Sequence, residues 1–125
     1  MKQIVSTTNA PQAIGPYSQA IQYGEQIFCS GQIALNPENM EIFGTTAAEQ
    51  TKQVMENLKA VLSEAGSDLT KVLKCTIYIK NMDDFGSVNE VYGSYFPENP
   101  PARATVEVSR LPKDVLVEID CIAHL

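Results

Sequence analysis

Two charged residues near the C-terminus of this 125-residue chain are the first candidates for chemistry: Arg103 in PPARATVEV (100–108) and Glu118 in VLVEID (115–120). Both lie in strand-like alternation. Counting by twos puts Arg103, Thr105 and Glu107 on one face of the first strand and Ala104, Val106 and Val108 on the other. The same count sets Leu116, Glu118, Asp120 and Ile122 against Val115, Val117, Ile119 and Cys121. If the two strands pair and the apolar sets face the core, Arg103 and Glu118 share the remaining face. A guanidinium fork grips a carboxylate through two parallel N–H···O bonds, and a neighbouring carboxylate can orient water or carry a proton. Spacing alone also fits a cross-strand ion pair or a solvated strand face.

Other reactive side chains are sparse. Ser30 in CSGQ and Thr105 carry hydroxyls, but no general base accompanies them; the only histidine, His124, reads as a tail residue. Tyr17 follows Gly15-Pro16, a turn that either presents its hydroxyl to a site or packs its ring against the loop. Cys29, Cys75 and Cys121 stand in separate apolar contexts without ligand spacing, which predicts buried free thiols in a reducing compartment rather than a zinc site. No Gly-rich phosphate loop is present. The net charge is −6 and no Lys/Arg run occurs, so a nucleic-acid partner is disfavoured. The opening residues lack the apolar core of a secretion signal, and no apolar run approaches the ~20 residues of a membrane span. A cytoplasmic protein without membrane contact is expected.

These residues need a scaffold, and the chain describes one. Hydrophobic content of 44% and charged content of 19% are those of an ordinary globular domain, and neither a repeat nor a linker divides residues 1–125. A short strand is expected at QIVS, an ordered loop over 9–19, a hairpin over 20–32 turning at Tyr23–Gly24–Glu25, and a loop over 36–44. The clearest helix starts at a capping box, Thr46 with Glu49, and ends at Gly66. Its inward stripe is Ala47, Thr51, Val54, Met55, Leu58, Val61, Leu62 and Ala65. A strand over 72–80 should turn Leu73, Cys75, Ile77 and Ile79 to one face. A second helix, capped by Asp83, should turn Phe85, Val88, Tyr92 and Tyr95 inward. Two strands, 103–109 and 115–123, close the chain. The expected fold is an α+β two-layer sandwich: a mostly antiparallel sheet covered on one face by two helices. The other face mixes charge with large aliphatics, as a face buried against other subunits would.

IGPYSQA, SGQI, VNEVY and above all PARATVEVSRLPKDVLVEID closely resemble the Rid (YjgF-type) family of reactive-intermediate deaminases, in order and at the family's spacing from residue 8 onward. The resemblance implies a chorismate mutase-like fold, a single Rid-like domain over 1–125, and a barrel-like homotrimer with sites between subunits. It implies hydrolysis of a carbon–nitrogen bond in small 2-imino and 2-enamino acids such as 2-aminoacrylate, releasing a 2-keto acid and ammonium with neither metal nor cofactor. The family's substrate-carboxylate arginine falls on Arg103, its water- and proton-handling glutamate on Glu118 and its site tyrosine on Tyr17. Ser30 and Gly31 match the segment lining the cleft, and Asn89 matches a further substrate-side position. Many members carry cysteine where this chain has Thr105, so a thiol at that position is not needed for the implied chemistry. Two alternatives remain at this stage: a 2-keto acid-binding regulatory module, and an RNA-acting protein, which the acidic charge disfavours.

Overall fold

In a computed structural model describing residues 1–125, the chain forms six strands and two α-helices: β1 (Gln3–Val5), β2 (Ala20–Tyr23), β3 (Gln26–Gln32), α1 (Ala47–Glu64), β4 (Val72–Ile79), α2 (Phe85–Ser94), β5 (Ala102–Glu107) and β6 (Val117–His124). The strands make one sheet in the order β1-β2-β3-β6-β4-β5. Every pairing is antiparallel except β4 with β5. Both helices pack on one face, which gives the expected α+β sandwich.

Local chemistry accounts for the elements. The Thr46 hydroxyl accepts from the Glu49 N–H at 3.2 Å while the Glu49 carboxylate accepts from the Thr46 N–H at 3.2 Å, the reciprocal cap expected of that pair. The hairpin turns at Gly24–Glu25, where Gly24 has φ +61°. Val54, Met55, Leu58, Val61 and Leu62 of α1 bury against Ile27, Ile77, Val117 and Ile119 of the sheet. Cys29, Cys121 and Cys75 lie side by side across β3, β6 and β4, all three buried and free. Burial pushes the Cys75 thiol up to about 11.

The buried face of α1 also carries amides. Asn57 Nδ2 donates to the carbonyls of Ile33 at 3.2 Å and Leu35 at 3.0 Å, and Gln53 fixes its orientation. Gln50 donates to the Gly44 carbonyl at 3.2 Å and accepts from the Leu116 N–H at 2.8 Å. These bonds tie irregular segments to the helix, whose backbone groups would otherwise be buried without partners.

Four expectations require correction. β5 and β6 do not pair, because β4 lies between them. The parity of β5 is reversed: parallel register sets Arg103 beside Cys75, Thr105 beside Ile77 and Glu107 beside Ile79, so these three turn toward the helix layer while Ala104 and Val106 turn to the open face. A bulge between Val72 and Lys74 buries Val72 and leaves Leu73 exposed. The cap expected from Asp83 is replaced by a 3-10 turn, Met82–Asp84, whose Asp83 N–H donates to Asn81 Oδ1 at 2.9 Å; α2 begins only after it.

Removing the Asn57 amide strands the buried Leu35 carbonyl and takes one of two donors from that of Ile33, which keeps the Leu35 N–H. Asn57→Leu should lower unfolding free energy by about 2–4 kcal/mol in chemical denaturation, whereas exposed Glu56→Gln should change it by less than about 0.5 kcal/mol.

Candidate functional site

Opposite β6, strand β3 carries one extra residue between Cys29 and Gln32. Ser30 and Gly31 form this bulge, a device that re-aims side chains at a sheet's working end. Glu118 on β6 folds over it. A Cβ built on Gly31 would lie 2.0 Å from Glu118 Oε2 and 2.9 Å from its Cδ, so the carboxyl group occupies the volume that any side chain at 31 would need.

Around this contact opens a cleft of about 590 Å³. Its walls are Pro11, Ile14, Tyr17, Ile33, Leu35 and Pro112, with Ser30, Gly31, Gln32, Lys113 and Glu118 supplying polar groups. Gln19 holds the near wall. Its Oε1 accepts from the Thr7 N–H at 2.6 Å, and its Nε2 donates to the carbonyls of Thr7 at 3.0 Å and Pro11 at 2.7 Å. Gly15, at φ +122°, makes the turn from which Tyr17 rises; the Tyr17 hydroxyl accepts from the Ile14 N–H at 3.4 Å and is otherwise open to the cleft. The Ser30 hydroxyl donates to the Ser18 carbonyl at 2.5 Å, so its proton is engaged and no base stands ready to remove it.

Burial, and then the neighbouring Asp120 carboxylate, raise the Glu118 pKa above its ordinary 4.5. No hydrogen bond opposes the shift. Asp120 instead accepts from the Tyr78 hydroxyl at 3.2 Å, on the same open face. Glu118 is therefore a half-buried carboxyl group of raised pKa at the floor of an open cleft, the kind of perturbed group that marks a candidate site.

Arg103 is elsewhere. On the helix-facing side of β5, its guanidinium lies 5.5 Å from the Phe85 ring centroid and 5.2 Å from that of Tyr92, and its Nη1 donates to Asn89 Oδ1 at 2.5 Å. It borders a separate hollow of about 430 Å³ with Pro100, Pro101 and Phe96. Next to it, the Thr105 hydroxyl is buried without a partner. The expectation that Arg103 and Glu118 share a face is thus overturned within the chain. Tyr17, Ser30, Gly31 and Glu118 come together; Arg103, Asn89 and Thr105 form a second group across the sheet.

Sequence reasoning missed Gln19 and Lys113. Lys113 and Asp114 both adopt φ +56° in the 3-10 turn Pro112–Asp114, a left-handed pair without glycine that brings Lys113 to the cleft wall. Neither residue type signals that backbone. Nowhere are three His, Cys, Asp or Glu side chains gathered to ligate one ion, and no helix is long and apolar enough to cross a membrane.

Comparison with known proteins is unambiguous as to kinship. The family model described as Endoribonuclease L-PSP matches residues 7–125. A RutC family protein of Pyrococcus horikoshii is 54% identical over 124 residues, spanning 99% of this chain and 98% of the relative. The 2-iminobutanoate/2-iminopropanoate deaminase of Mus musculus is 44% identical over 123 residues, spanning 98% and 91%. A crystal structure of a Rid family protein of unknown function from Yersinia pestis superposes with a TM-score of 0.97 at 46% identity, covering all of both chains.

Two outcomes follow from the Gly31–Glu118 contact. Gly31→Ala must displace the Glu118 carboxyl, the flexible end of its side chain, so the cost in thermal or chemical denaturation should stay below about 1 kcal/mol while the Glu118 pKa, followed by NMR titration, falls back toward 4.5. Folding raises the Glu118 pKa, so the unfolded chain ionises first as pH rises, and stability falls from the ordinary 4.5 up to the native pKa and does not return above it. Glu118→Gln should accordingly melt above the wild type at neutral pH. The advantage should vanish below about pH 4, where both states of the wild type are protonated.

Proposed function

Since the chain belongs to the Rid (YjgF-type) family, the family described as Endoribonuclease L-PSP, we propose that it hydrolyses small reactive imines, as a 2-iminobutanoate/2-iminopropanoate deaminase that also clears the enamine 2-aminoacrylate. The observation that carries this reading is the Glu118 carboxyl, raised in pKa and folded onto Gly31 beside Tyr17 in an open cleft.

In the proposed reaction an enamine first gains a proton at C3 to become the iminium. Water then attacks C2 as Glu118 takes one of its protons. Glu118 then returns that proton to the nitrogen of the carbinolamine, the C–N bond breaks as the hydroxyl proton passes to the departing ammonia, and a 2-keto acid and ammonium leave. The balance closes with one water and one proton taken from solvent, so orientation and proton transfer are the protein's whole contribution. Tyr17 and the Ser30–Gly31 backbone contact water or nitrogen.

The substrate carboxylate is assigned to Arg103, with Thr105 behind it. Because Arg103 lies across the sheet from its own chain's Glu118, the reading requires that two subunits build each site. Residues 1–125 act as one domain, and three such domains close their open sheet faces into a barrel. That face carries Ile21, Phe28, Ile122 and Val106 around the Glu118–Asp120 pair, and Phe28 and Val106 are each 42% exposed in the single chain. Arg103 of one subunit then meets the Glu118 cleft of the next. A 2-keto acid-binding module would use the same groups without turnover. Against RNA cleavage stand the net charge of −6 and a lone histidine at the end of β6, its Nδ1 2.6 Å from the Leu125 carbonyl oxygen.

Keto acid release from freshly generated 2-aminoacrylate tests the reading. Wild type should accelerate it, and Arg103→Ala should lower kcat/KM about ten- to a hundredfold. Arg103→Lys should recover only part, since an ammonium lacks the planar fork. Mixing Arg103→Ala and Glu118→Gln chains by unfolding and reassembly should restore about a quarter of wild-type activity, the share of interfaces joining an intact arginine to an intact glutamate. No restoration would mean that one chain builds the site; binding of 2-oxobutanoate without turnover would favour the binding module.

A further inference from the structure

Phe85, Asn89 and Tyr92 recur at i, i+4 and i+7 along α2, so they share one helical stripe. All three reach the same guanidinium. Phe85 and Tyr92 present ring faces to it at 5.5 Å and 5.2 Å, and Asn89 Oδ1 accepts from Nη1 at 2.5 Å. The Tyr92 hydroxyl is buried with no hydrogen-bond partner, so its ring rather than its hydroxyl serves the arginine. An arginine on an exposed edge strand ordinarily samples many rotamers. Here two π faces and one acceptor restrict it, while four of its five N–H groups remain free to meet an anion. Pro100 and Pro101 stiffen the approach to β5 directly before it.

We propose that Phe85, Asn89 and Tyr92 are positioning residues that hold the Arg103 guanidinium in a preformed attitude to receive a substrate carboxylate; the substrate rests on the deaminase reading above, the positioning on geometry alone. Asn89 thus acts through Arg103 rather than on the substrate. Ordering the arginine before binding removes an entropic cost from the bound complex, so the effect falls on affinity rather than on the chemical step.

The test compares wild type with Phe85→Leu, Phe85→Tyr, Asn89→Ala and Tyr92→Phe. Three quantities are read: the heteronuclear NMR signal of Arg103 Nε–H, the Kd for unreactive 2-oxobutanoate by calorimetry, and kcat and KM for imine hydrolysis. Phe85→Leu and Asn89→Ala should each shift and broaden the Arg103 signal and raise Kd and KM about three- to tenfold, with kcat within about twofold of wild type. Phe85→Tyr and Tyr92→Phe, which keep the ring faces, should match wild type in all three. An unmoved Arg103 signal in Phe85→Leu, or a loss in Phe85→Tyr as large as in Phe85→Leu, overturns the proposal. If wild type neither binds 2-oxobutanoate nor releases keto acid, the deaminase reading fails on its own. The NMR signal then still decides the positioning claim, a shift in Phe85→Leu supporting it and an unchanged signal refuting it.

Discussion

β5 runs parallel to β4 with Arg103 beside Cys75, and most of the functional architecture depends on that register. A parallel neighbour cannot be reached by a hairpin, so the chain must leave β4, cross through a helix and return. α2 is that crossover, and it lies on the side of the sheet where α1 packs. Side chains of β5 that turn the same way as Cys75, Ile77 and Ile79 therefore meet α2. Arg103 is one of them, and the helix that makes the crossover also surrounds its guanidinium. Glu118, on the opposite parity of β6, looks out of the other face. A β-sheet backbone separates the two charges, and no rotamer of either spans it. Chemistry that uses both residues at once requires a second copy of the chain.

Most elements were legible because their signals are local. The capping box at Thr46 and Glu49, the α1 stripe and the hairpin at Gly24 each depend on neighbours within a few residues. So does the inward set Val117, Ile119 and Cys121 on β6, a strand with partners on both sides. At β5 alternation misleads for a physical reason. At the sheet edge its apolar set, Ala104 and Val106, turns to the open face while its polar set turns to α2, so alternation there marks parity without saying which side is the core. The supposed β5–β6 pair failed because adjacency in sequence stood in for adjacency in the sheet.

The cleft was legible only in part, and the division follows the kind of force involved. Tyr17, Ser30, Gly31 and Glu118 were recoverable through the family resemblance and do converge. Their supports were not. Gln19, Gln50 and Asn57 have no periodic signature; each is a polar residue that satisfies backbone groups of a segment outside its own element. Lys113 escaped notice because a left-handed Pro-Lys-Asp turn has no glycine to announce it.

At Gly31 and Glu118 the chain gives up stability to keep a carboxyl group in place. The bulge in β3 adds a residue, the absent side chain at 31 leaves a space, and a carboxyl group fills it where an apolar group would pack at no electrostatic cost. Burial without a hydrogen-bonding partner makes the ionised form expensive, and Asp120 adds to that expense. Asn57 and Gln50 tie the segments on either side of this carboxyl, Ile33–Leu35 and Leu116, to α1, so the cleft wall is fixed to the core and the cost of burial rests on the Glu118 side chain alone.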